Sequence, residues 1–163
     1  MLSTLNGRAL SWSDIKITAN IVGGPSMPQI DIKSINFEGA ISRGFQVGAS
    51  GGRRLKKTTG SLTNTCDATF YTDGMDEFID AIAAVAPKNS GGQAQLSKVS
   101  FDFVIKHTFE DESQIRTVTI KGCNLDKLAE KHGEGDDAAT IDTDLSPMEI
   151  EYTTRSGLKA VLL

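Results

Sequence analysis

The chain has 163 residues and a net charge of −4, enough for one domain with a buried core. Apolar residues make up 39% and charged residues 23%, which is ordinary for a soluble globular protein. Its apolar runs fall far short of a membrane span and its N-terminus lacks a signal-peptide pattern, so a cytosolic protein without a membrane anchor is the expectation.

The charge is unevenly spread. Residues 1–60 carry eight basic and three acidic side chains, whereas residues 126–163 carry four and nine. A basic front and an acidic back suit a molecule that meets copies of itself head to tail.

Strand patterning begins at residues 14–21, where Ile15, Ile17, Ala19 and Ile21 alternate onto one face. The turn residues of 23–28 follow, with Gly23, Gly24, Pro25 and Pro28. Residues 29–37 alternate again, but Ile30 and Ile32 occupy one face while Ile35 and Phe37 occupy the other. A bulge near Lys33 or Ser34 would reconcile the two halves. These first two strands are expected to pair as a hairpin.

Residues 39–58 show no clear periodicity and read as a long flexible arm, a length that compact domains keep for functional segments. The stretch Gly44 to Ser61, GFQVGASGGRRLKKTTGS, holds five glycines and the basic residues Arg53, Arg54, Lys56 and Lys57, with no acid among them. From residue 60 strand patterning returns. Leu62, Asn64, Cys66, Ala68 and Phe70 share one face, and a run of threonines with Asp67 and Tyr71 the other.

Residues 72–86 predict the one clear helix. Met75, Phe78, Ile79, Ile82 and Val85 form its apolar stripe, Thr72 or Asp73 can cap it, Asp76 and Glu77 lie near its start, and Pro87 stops it. The helix is expected on the outer side of a sheet. After a second glycine loop, residues 99–123 read as a hairpin with Val99, Phe101, Phe103, Ile105 and His107 on one face. Residues 125–131 suggest a short helical turn, followed by an acidic glycine-containing loop with Glu134, Asp136 and Asp137. Residues 140–154 and 158–163 close the chain as strands, with Arg155 to Gly157 as a hairpin turn. About seven antiparallel strands and one helix predict a mainly β fold, an antiparallel sandwich or small barrel with one flanking α-helix.

Catalytic and cofactor signatures are missing from this order. The glycines and lysines of residues 44–58 do not stand as GxxxxGK[ST] or GxGxxG, and the segment opens no helix. There is no GxSxG elbow. The acidic residues 134–144 lack the EF-hand spacing. Cys66 and Cys123 form no CxxC pair, and His107 and His132 are not spaced to complete a zinc site with them, so two reduced, separately packed thiols are expected. The basic cluster could neutralise phosphates, but the chain is acidic and no aromatic residue interrupts the basic run. A docking arm for an acidic neighbour is the better reading of those residues. A small nucleic-acid-binding β-barrel stays open as an alternative, and a hydrolase with a spatially assembled site ranks behind it.

The pattern resembles the tail tube proteins of contractile-tailed bacteriophages. The resemblance rests on NGRALSWSDIKI (Gly7, Trp12, Ile15), on the segment ISRGFQVGASGGRRLKKTTGSLTNTCDATFY with its Lys57, Thr58 and Gly60, and on DGMDEFIDAI. It spans most of the chain, as a single domain over residues 1–163 with its arm at about 39–58. It is similar also to the inner tube proteins of type VI secretion systems and phage-like bacteriocins. The resemblance implies a non-enzymatic virion protein without cofactor. It would form homo-hexameric rings stacked into a tube inside a sheath, with the inner strands joined into one barrel wall. Its partners would be the sheath, the tape-measure protein, and the baseplate and tail-terminator proteins, and DNA would pass through without specific binding. Assembly would take place in the host cytoplasm. A tube-fold baseplate or cap protein, forming one ring, is the alternative within this class. Arg43, Arg53, Arg54, Lys56 and Lys57 on one side and Glu134, Asp136 and Asp137 on the other are the expected subunit or inter-ring contacts.

Overall fold

A computed structural model describes residues 15–27, 30–48, 51–58, 60–107, 115–135 and 138–162. Gly7, Trp12, Pro28, Asp136 and Asp137, named above, lie outside these residues.

Two antiparallel sheets enclose one core. The first has six strands. β1 (Ile15–Ile21) lies between β2 (Ser26–Met27) and β7 (Phe101–His107); β8 (Arg116–Cys123), β11 (Glu149–Thr153) and β12 (Lys159–Val161) continue it to the far edge. The second has four strands in the order β3 (Ile32–Ser42), β6 (Ser61–Tyr71), β10 (Thr140–Leu145) and β9 (Leu125–Lys131). β4 (Phe45–Val47) and β5 (Arg54–Lys57) pair only with each other. Each long strand alternates as its sequence predicts. Ile17, Ala19 and Ile21 are buried on β1, and Cys66, Ala68 and Phe70 on β6.

One helix, α1 (Thr72–Ala83), completes the core. It packs on the core-facing side of the four-stranded sheet, away from that sheet's polar outward face. Met75, Phe78 and Ile82 are fully buried, and the Phe78 ring meets Phe70 of one sheet at 5.5 Å and Phe101 and Phe103 of the other at 5.1 and 5.8 Å. The helix closes the gap between the two inward faces. It begins where sequence places it, but no side chain caps it; Thr72 donates instead to the Ala139 carbonyl. It ends at Ala83, ahead of Pro87, through a turn in which Ala84 and Ala86 donate back to Asp80 and Ile82.

The expected bulge is present, as a register shift between Ile32 and Ser34, and the hairpins 101–123 and 149–161 form as read. Three other expectations are corrected. Residues 29–37 do not pair with β1 as a hairpin. β2 and β7 already occupy the two edges of β1, so after one bond from Ile30 N–H to the Ile17 carbonyl the chain crosses to the second sheet. Residues 125–131 are strand and not helix. Their pairing with β10, with Lys127 opposite Asp144 and Lys131 reaching diagonally to Asp142, outweighs the local helix propensity of Leu, Lys, Ala and Glu. Residues 39–58 are also not without regular structure: β3 runs on to Ser42, and β4 and β5 form a hairpin.

Candidate functional site

The hairpin β4–β5 projects from the end of the four-stranded sheet, between β3 and β6. Its neck is tied by Thr58, whose N–H donates to the Gly44 carbonyl and whose Oγ1 accepts from the Gly44 N–H at 2.7 Å. Gly60 is obligatory there. Its φ is +78°, and a Cβ would collide with the Ser42 carbonyl oxygen. At the tip, Gly51 and Gly52 turn the chain with φ of +81° and +63°.

Arg43, Arg53, Arg54, Lys56 and Lys57 are all exposed on or beside this hairpin. Phe45 and Val47 are also exposed, at 40% and 55%. The Arg54 guanidinium lies 4.1 Å from the centre of the Phe45 ring, a cation–π contact. Sequence reasoning missed this aromatic partner because Phe45 stands nine positions before Arg54. The hairpin register folds that distance away. Such a surface mixes an apolar and a cationic grip.

Glu134 lies elsewhere. It follows β9 and lines a cavity of about 400 Å³ with Lys33, Lys131, His132 and Thr140. Lys33 stands near the start of the same strand, β3, whose other end leads into the hairpin. The strand between them covers roughly 30 Å at about 3.3 Å per residue. Thus the basic hairpin and the Glu134 connection stand at opposite ends of one strand and do not meet within the chain.

The outward face of the four-stranded sheet is mostly polar. β3 contributes Asn36, Glu38, Ala40 and Ser42, and β6 contributes Ser61, Thr63, Thr65, Asp67 and Thr69. β10 adds Asp142 and Asp144, and β9 adds Lys127 and Lys131. Both lysines are committed: Lys131 to Asp142 at 2.7 Å and Lys127 to Asp144 at 3.9 Å. The Lys131 hydrogen bond, joined by one from Thr69, holds the Asp142 carboxyl below its ordinary range.

Little here suggests covalent chemistry. Both cysteines are buried and free. Burial, and then Asp67, pushes the Cys66 thiol up to about 12, and burial pushes Cys123 higher still, so neither is a thiolate at neutral pH. His107 sits 3.1 Å from an Arg116 nitrogen, and burial together with Arg116 and Arg155 lowers its pKa. Among the described residues no three His, Cys, Asp or Glu side chains are grouped to hold a metal.

These features define a class: a two-sheet antiparallel β protein with a helix-closed core and a projecting hairpin. It is the fold of tail-tube and Hcp proteins. A chain of the anti-feeding prophage cap, described as a tube terminating cap, matches with a TM-score of 0.62 and 14% identity over 93% of this chain and 95% of that one. A chain from the sheath–tube complex of PVC, an extracellular contractile injection system in its extended state, matches at 0.60 and 13% over 85% and 88%. The SPP1 tail tube matches at 0.58 and 14% over 94% and 80%. No family model matches the chain, and no curated protein sequence does.

Proposed function

We propose that this chain is a structural subunit of a tail tube, assembled as hexameric rings stacked head to tail inside a sheath. One observation carries the reading: an exposed basic hairpin and the Glu134 connection stand at opposite ends of β3. Neither can neutralise the other within the chain, whereas in a stack the hairpin of one copy meets the acidic end of the next. This is heterologous contact, which generates extended assemblies. Asp136 and Asp137, adjacent in sequence to Glu134, belong to the same acidic end in this reading.

The outward face of the four-stranded sheet is proposed as the lumen wall. Its hydroxyls keep it wetted, and four carboxylates against two ion-paired lysines repel a phosphate backbone, so that DNA and a tape-measure protein pass without being held. Baseplate and terminator proteins would bound the tube at its ends. The assembled product is a virion tail, built in the host cytoplasm.

Negative-stain microscopy of the purified protein tests this. Hollow tubes are expected, with Arg53→Glu/Arg54→Glu leaving the fold intact but stopping tube growth. Undiminished growth of that variant overturns the hairpin contact. Single rings from the native protein favour a cap or baseplate ring, and salt-sensitive binding of labelled DNA by monomers favours a nucleic-acid-binding barrel.

A further inference from the structure

The outward face of the six-stranded sheet carries an ordered charge pattern of its own. Strand register aligns Lys16, Lys106, Thr117, Thr153 and Lys159 in one row across five strands. The three lysines are exposed, and among the described residues none of them has a carboxylate within ion-pair distance. Lys16 and Lys106 stand directly opposite each other. Like charges in that position destabilise a sheet, because their Cβ atoms are only about 5 Å apart.

The described carboxylates on this face lie toward the other end of the strands and are already engaged. Lys121 Nζ is 3.0 Å from Glu151 and 3.9 Å from Glu149, while Asp102 accepts the Gly122 N–H at 2.9 Å. Among the described residues, then, no carboxylate neutralises the lysine row. Threonines lie between the lysines and give a flat, hydroxyl-bearing bed. The row spans about 19 Å, four strand spacings of about 4.8 Å, the length of about three and a half helical turns.

We infer that this row docks an acidic protein surface laid across the strands, and that the surface belongs to the enclosing sheath. This rests on the tube reading: with the four-stranded sheet toward the lumen, the six-stranded face points outward. A protein occupant is favoured over nucleic acid because, among the described residues, no aromatic side chain accompanies the row to stack on bases.

The test is co-assembly of tubes with the sheath protein of the same tail, read by co-sedimentation and microscopy. Lys16→Glu/Lys106→Glu/Lys159→Glu should form normal tubes that bind sheath at least tenfold more weakly, while the triple arginine variant stays decorated. Full decoration of the glutamate variant overturns the inference. So does a glutamate variant that keeps its circular dichroism but no longer forms tubes, since the row would then join copies of this chain. Native tubes that take up no sheath overturn the docking and leave the tube reading standing; native protein that forms no rings or tubes removes the reading itself.

Discussion

Phe78 is the residue on which both sheets converge. It is fully buried and touches aromatic rings from β6 and β7, so truncation removes contacts that no neighbour can replace. Phe78→Ala should cost about 3–5 kcal/mol, measured by urea unfolding, against a small effect for Phe45→Ala on the exposed hairpin. His107 makes a pH prediction. Burial, Arg116 and Arg155 hold its folded pKa below the ordinary 6.5, so the unfolded chain binds its proton first. Stability is therefore full above 6.5 and declines as pH falls from there toward the folded pKa. Thermal melts between pH 7.5 and 5 should show this decline, and His107→Gln should flatten it; an unchanged slope in the variant would assign the acid sensitivity to other groups.

At the scale of elements, the hairpin β4–β5 stands apart from the two sheets. Its strands pair only with each other, and its neck is set by Thr58 and Gly60. Replacing residues 45–57 with a short glycine–serine link should leave the far-UV spectrum and melting temperature nearly unchanged while abolishing tube growth. A large loss of melting temperature would instead make the hairpin part of the fold. β9 teaches the opposite lesson. Leu125, Leu128 and Ala129 suit a helix locally, and only the edge of β10 makes this segment a strand. The helix was legible because its stripe of Met75, Phe78 and Ile82 needs no distant partner to be recognised.

For the whole molecule, the proposed stacking contact turns on charge polarity. The proposed head-to-tail attraction between the hairpin and the acidic end of a neighbour should weaken as salt shortens the Debye length from about 10 Å at 0.1 M to about 3 Å at 1 M. Tube growth followed by light scattering should slow over that range. Growth independent of salt would shift the contact to exposed Phe45 and Val47. Ion pairs on the outward face of the four-stranded sheet, such as Lys127 with Asp144, are exposed on both sides and contribute little to stability. What they do is remove free cations from that face.

The sequence by itself determined the alternating faces of β1, β6 and β7, the bulge near Lys33, the apolar stripe of the helix and the clustering of Arg53, Arg54, Lys56 and Lys57. Each of these is written in spacings of a few residues, which backbone geometry converts directly into faces. Only the tertiary structure decided that residues 30–37 leave β1 for the second sheet, that residues 125–131 become an edge strand, and that Phe45 stacks beneath Arg54. It alone revealed the row of Lys16, Lys106 and Lys159, whose members come from three separate strands. Those outcomes depend on which strand edges remain open after others have paired, and on registers set between distant segments, neither of which a local pattern encodes.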